Sequence, residues 1–359
     1  MFSKSVFEPY FSLDEINHLE SIGVSSDHPL FYFNNNVTDS SGRFAASLFN
    51  TLESFKMVSS INSQWFESKK KEVLQKDVSV ANATLAEFRC YHCLVSAFGE
   101  SNVVAVSPTK GQRTPDFCVN NGKEKIFIEV NSPQLGGSEI NKRHINLVSG
   151  STEKIRIVES FIAPLGRKKD MTLRESAISK ISGAKNNVEQ LNLKAINILY
   201  LDFQTEMISD IIDYVGMPFP LSTNRTRGGG GDGGFYSNIL WYALYAKKKT
   251  PIFDGETLNQ IDGIPTTIKS KMLFDGKFAN NKTKNVSCVI CSFPDACIIC
   301  ENPHATTKLS DSTMRHLCSL FRFNIEHSFM RFTNKFLKGT IRNNEKFLFK
   351  LSKNKFYSW

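Results

Sequence analysis

The chain has 359 residues, 41% hydrophobic and 22% charged, with a mean hydropathy of −0.24, which excludes a disordered or collagen-like chain and allows one large core or two modest ones. No apolar run nears the roughly 18 residues of a membrane helix. The opening MFSKSVFEPYFSLDEINHLE has acids where an export signal has its apolar core, so a cytoplasmic protein without a membrane partner is expected.

Residues 1–80 are mixed in character and rich in Phe. A helical stretch over about 50–75 ends in the charged run Glu67-Ser68-Lys69-Lys70-Lys71-Glu72. Nothing in that run points to chemistry, and the region reads as an N-terminal cap or small domain. Residues 81–98 place Leu85, Phe88, Tyr91, Cys93 and Val95 at helical spacing, and Gly99 supplies a stop. A β-branched run follows at 103–106. Pro115–Val119 and 125–131 then read as two strands of a hairpin around Asn121-Gly122, closed by Ser132-Pro133. Beyond a polar stretch, Ala177, Ile181, Ala184, Val188 and Leu191 mark a second helix over about 172–191, and 195–203 reads as a buried strand. The order helix, strand, hairpin, helix, strand predicts a compact α/β core. A glycine run at 228–234 leads into an expected helix over 235–246, and 286–293 and 296–300 read as strands. The division expected is 1–80, an α/β domain over 81–305, and a basic aromatic region over 306–359.

Asp116 and Glu129 carry the chemical argument. A hard divalent ion that assists phosphodiester hydrolysis needs carboxylates within one coordination sphere. An acid at the start of one hairpin strand and an acid near the end of its partner meet at the open end, away from the turn. Glu129 also sits within Ile126-Phe127-Ile128-Glu129-Val130, where a buried acid is costly without a partner. The backbone carbonyl of Val130 is a natural additional ligand. A turn residue after Pro115 is the plainer reading of Asp116.

Pro115-Asp116 followed by Ile128-Glu129-Val130-Asn131, in this order of elements, resembles the PD-(D/E)XK, or restriction-endonuclease-like, nuclease superfamily over about residues 81–205. The resemblance implies a core of helix, mixed sheet with an Asp/Glu hairpin, helix and strand. It also implies an endonuclease that uses Mg²⁺ or Mn²⁺, held by Glu87, Asp116, Glu129 and Val130, with DNA favoured over RNA as substrate. A homodimer or a partner subunit stays open. The family's lysine is Asn131 here. Lys180, Lys185 and Gln190 on the second helix are the substitutes the resemblance suggests, Lys185 first because Ile181 and Val188 flank its stem. A solvated helix face is the other reading of both lysines. Asn131 also motivates an opposing reading, a nuclease-fold protein that has lost catalysis and binds nucleic acid or a partner protein. The flanking regions suit restriction or another anti-phage defence.

Weaker signals remain. The net charge is +9, and residues 306–359 hold eleven Lys/Arg against three Asp/Glu, so a polyanion is a natural partner there. Arg322, Arg331 and Lys335 interleave with Phe323, Phe329, Phe332 and Phe336. That pattern suits bases stacking in a basic groove, or helices docked on the core with basic outer faces. Arg225 and Arg227 beside the glycine run are candidates for phosphate contact on an active-site loop, with a flexible linker as the alternative. Cys288-x-x-Cys291 and Cys297-x-x-Cys300 stand closer together than the pairs of a zinc ribbon, and positions i and i+3 of a strand face opposite ways. Core cysteines are the expectation there, and for Cys90 and Cys93 too.

Overall fold

The computed structural model describes residues 5–24, 28–35, 42–107, 114–132, 156–162, 195–204, 221–222, 233–235, 244–245, 247–249, 251–255, 258–261, 264–272, 275–278, 283–292, 296–319 and 328–332. The chain is α/β. Five helices come first: α1 (Leu13–Ser21), α2 (Pro29–Asn35), α3 (Gly42–Ile61), α4 (Ser63–Val73) and α5 (Val78–Phe98). The single helix expected over about 50–75 is therefore two. Asn62 is the reason: its side-chain oxygen accepts the Trp65 N–H at 3.1 Å and starts α4 afresh. Asp77 caps α5 in the same way through the Ser79 N–H, and Gly99, at φ +83°, ends it.

The phenylalanines explain why these helices stay together. Phe55 meets Phe88 edge to face at 4.8 Å between ring centres, and Phe7, Phe11, Phe66 and Trp65 pack around the same pair. One continuous apolar cluster runs from Phe7 through Phe88 to Ile128, Ile198 and Leu317. Among the described residues, the N-terminal helices thus share a core with the sheet.

That sheet has seven strands, β1 (Val103–Ala105), β2 (Phe117–Asn121), β3 (Glu124–Asn131), β5 (Ile196–Asp202), β11 (Cys288–Ser292), β12 (Ala296–Glu301) and β13 (Ser328–Phe332), side by side in that order. It is mixed: β1–β2, β2–β3 and β11–β12 are antiparallel, while β3–β5, β5–β11 and β12–β13 are parallel. The Gly122 turn, at φ +61°, closes the β2–β3 hairpin. Central β5 is buried at every position, as a parallel strand covered on both faces should be. A second sheet orders β4 (Arg156–Ile162), β10 (Ile264–Met272), β8 (Pro251–Gly255), β7 (Gly233–Phe235) and β6 (Leu221–Ser222), with β9 (Leu258–Ile261) paired to β10.

Two expectations change here. Phe235 does not begin a helix: it ends β7, level with Phe253 of β8, where backbone pairing between strands outweighs the local helical pattern. Leu244 and Tyr245 are helical, and 236–243 lie outside the described residues. In the basic region, Asp311–Ser319 forms α6 and residues 328–332 form β13, so this segment adds a strand to the main sheet across the expected boundary at 305/306. Met314 and Leu317 are buried, and His316 Nδ1 lies 3.0 Å from the Ala97 carbonyl oxygen at the end of α5. No helix among the described residues is long and apolar enough to cross a membrane.

Candidate functional site

Asp116 stands one residue before β2, and its place is set by backbone pairing. Its N–H donates to the Ile128 carbonyl at 3.0 Å, and its own carbonyl accepts the Val106 N–H at 2.9 Å. Because Phe117 pairs with Ile128, Asp116 falls level with Glu129 and alternates with the core-facing pair. The Asp116 Oδ2 atom accepts the Val130 N–H at 2.7 Å, which holds the carboxylate at the open end of the hairpin. In an extended strand a residue's N–H and C=O point to one side, so the Val130 carbonyl faces the same edge. Glu129 is 8% exposed.

Glu87 comes from α5, and a side chain from α4 meets it. Lys69 Nζ lies 2.7 Å from Glu87 Oε2 and 2.9 Å from Glu72 Oε2. Thr84 Oγ1 also donates to Glu72 at 3.3 Å. The sequence reading passed over Lys69 and Glu72, because a run of Lys and Glu on a helix looks the same whether it faces water or an active site. The one available hint is the spacing: Trp65, Lys69 and Glu72 at i, i+4 and i+7 share one face of α4.

Lys69, Glu72, Glu87 and Asp116 line a cleft of about 630 Å³ between α4 and the start of the hairpin. Its walls include Asn62, Trp65 and Ser68 on one side and Val106, Thr114 and Pro115 on the other. Among the described lining residues, Lys69 is the one cation, against Glu72, Glu87 and Asp116.

Electrostatics links the three acids, with Asp116 raising Glu87 and both raising Glu129. Burial first, then the charges of Asp116 and Glu87, push the Glu129 carboxyl up to about 8. Burial also lifts Glu87 to about 7; Lys69 opposes the rise and Asp116 adds to it. Burial raises Asp116 too, against the pull of the Val130 N–H and Lys69. For Lys69, burial favours loss of the proton, but Glu87 and Glu72 outweigh it and its pKa rises. A site that strains to keep its carboxylates charged is one to which a further cation is welcome. The donors are hard oxygens, which suits Mg²⁺ or Mn²⁺. Among the described residues, no three His, Cys, Asp or Glu side chains already stand together as a ready ligand set.

Asn131 ends β3, level with Leu201 of β5 and half-buried. Arg331 lies on β13, level with Ile299, at the edge of the sheet four strands away from β3, so it does not share the acids' edge. Lys180, Lys185, Gln190, Arg225, Arg227, Arg322 and Lys335 lie outside the described residues. Cys288 and Cys291 occupy alternating faces of β11, level with Glu301 and Ile298. Cys90, Cys93, Cys288, Cys291 and Cys300 are buried free thiols, and burial raises all five, Cys93 to about 12.

Comparison of the chain with family models, with curated proteins and with solved structures gives no match in any of the three.

Proposed function

We propose that this chain is a divalent-metal-dependent nuclease of the restriction-endonuclease-like class that hydrolyses phosphodiester bonds in DNA. One observation carries the reading: Glu87, Asp116 and Glu129, from one helix and the two sides of one hairpin, are electrostatically linked beside an open cleft, where Asp116 raises the Glu87 carboxyl and both raise that of Glu129. Acids brought that close are costly to the fold, and cation binding is the chemistry that repays them.

Asp116 and Glu129 would hold the ion, with Glu87 and the Val130 carbonyl as further oxygens. Bound there, a divalent cation supplies an acidified water for attack on phosphorus and neutralises charge on the phosphate oxygens. The chain's own part is positional. The Val130 N–H fixes one Asp116 oxygen and leaves the other for the ion, and burial keeps competing water from Glu129.

Asn131 favours a second reading, in which the same site binds metal and nucleic acid without cutting. One assay separates the two. Plasmid and single-stranded DNA are incubated with Mg²⁺, with Mn²⁺ and with chelator, using wild type, Asp116→Ala and Glu129→Ala. The nuclease reading expects cutting that chelator abolishes and each substitution lowers about a thousandfold or more. Undiminished cutting by both variants removes these acids from the mechanism. Metal-dependent binding without cutting by wild type supports the second reading.

A further inference from the structure

We propose that the Lys69 ammonium is the resident counter-ion of the acid site, and that a divalent cation displaces it from Glu87 and frees it to meet a phosphate oxygen in the cleft. The inference rests on the nuclease reading and adds to it an exchange of cations within the site.

Three observations carry it. The first is position. Lys69 Nζ lies 2.7 Å from Glu87, one of the acids that would bind the ion. Ammonium and divalent ion compete for the same oxygen, and Glu87 is not free to join Asp116 and Glu129 while Lys69 holds it.

The second is tethering. Lys69 and Glu72 are three residues apart on α4, so their 2.9 Å ion pair belongs to one helix and travels with it. The Glu87 contact is an ion pair that reaches from α4 to α5, beside the Thr84–Glu72 hydrogen bond. Losing it leaves Lys69 still paired with Glu72 on the cleft wall, where Trp65 shares its face of α4. The ammonium is therefore retained near the site rather than released to water.

The third is charge. Among the described lining residues, Lys69 is the one cation beside Glu72, Glu87 and Asp116. One positive charge against three acids leaves room for a further cation. A divalent ion at the acids, with the ammonium moved along the wall, spreads three positive charges over the same space and makes the cleft receptive to phosphate. A lysine held only as a staple between α4 and α5 has no such consequence, and the two roles predict opposite effects of removing it.

The test titrates Mn²⁺ into the full chain by calorimetry, for wild type, Lys69→Met, Lys69→Arg and Asp116→Ala. Methionine keeps the apolar stem and removes the charge. Lys69→Met is expected to bind Mn²⁺ about tenfold more tightly than wild type, because no cation has to be displaced. Lys69→Arg is expected to bind like wild type. With Ca²⁺ in place of Mn²⁺, Lys69→Met is expected to hold a single-stranded oligonucleotide several-fold more weakly. Equal or weaker Mn²⁺ binding by Lys69→Met, with binding still lost in Asp116→Ala, overturns the exchange and leaves the nuclease reading standing. Wild-type affinity in Asp116→Ala overturns the metal site itself. Should Lys69→Met not fold, the Lys69 ammonium resonance of the wild-type chain decides the matter. It is expected to shift as Mg²⁺ saturates the protein, and an unmoved signal overturns the exchange.

Discussion

Helix α5 carries two charge centres only two residues apart, and they are built in opposite ways. Arg89 is 1% exposed and donates through Nε and Nη2 to the two oxygens of fully buried Asp202, at 2.8 and 3.0 Å. Its Nη1 reaches Thr51 on α3, and the Gln204 N–H donates to Asp202 as well. The Gln204 side chain accepts from Asn50 and donates to Ser292 on β11. Charges balance, the geometry is bidentate, and α3, α5, β5 and β11 are locked together. Glu87, about 200° around the helix, belongs to the other kind of site. There acids outnumber Lys69, the groups open on a cleft, and carboxyl pKa values climb to about 7 and about 8. The first centre uses charge to hold the fold, and the second tolerates unbalanced charge that a cation can satisfy. The locked centre also fixes the helix from which Glu87 projects.

The comparison can be broken at the locked centre first, where the largest stability effect is expected. Arg89→Met or Asp202→Asn leaves a buried group without its ionic partner and should lower stability by about 3–5 kcal/mol in urea unfolding. A loss below about 1 kcal/mol would show that the pair contributes little to the lock.

At the acid site the expected effect is smaller and opposite in sign. Glu87 and Glu129 keep their protons in the folded chain to about 7 and about 8, well above the ordinary carboxylate range of the unfolded chain. Across the interval between those limits the folded state binds more protons than the unfolded one, so stability falls as pH rises. In chelator, Tm should decline from about pH 5 to about pH 8, and saturating Mg²⁺ should offset most of the decline. Glu129→Gln should flatten the profile and stabilise the chain by on the order of 2 kcal/mol near pH 8, while losing metal response. A profile unchanged by Glu129→Gln would mean that the strain lies elsewhere. The smallest effect concerns the helix that presents Lys69. Asn62→Ala removes the N-cap of α4 and should cost about 1 kcal/mol, read as a lower Tm with the pH profile of the acid site retained.

Periodicity and turn chemistry were sufficient for the helix ending at Gly99, for the Asn121-Gly122 hairpin and for buried β5, because each depends on residues close in sequence. The same local logic pairs Asp116 with Glu129, since hairpin register follows from the turn. It could not find the break at Asn62, where a side chain competes with the backbone, nor β7, whose backbone pairs with β8, a strand distant in sequence. It also left residues 328–332 outside the core, although β13 completes an edge of the main sheet. Least legible were Lys69 and Glu72. A charged run carries no mark of what it faces, and only the aromatic packing of α4 against α5, through Trp65 and Phe66 on Phe88, turns that face toward Glu87. The sequence by itself determined the hairpin and the acids it brings level. The tertiary structure decided which cation meets them, because that contact joins residues whose local patterns contain no reference to each other.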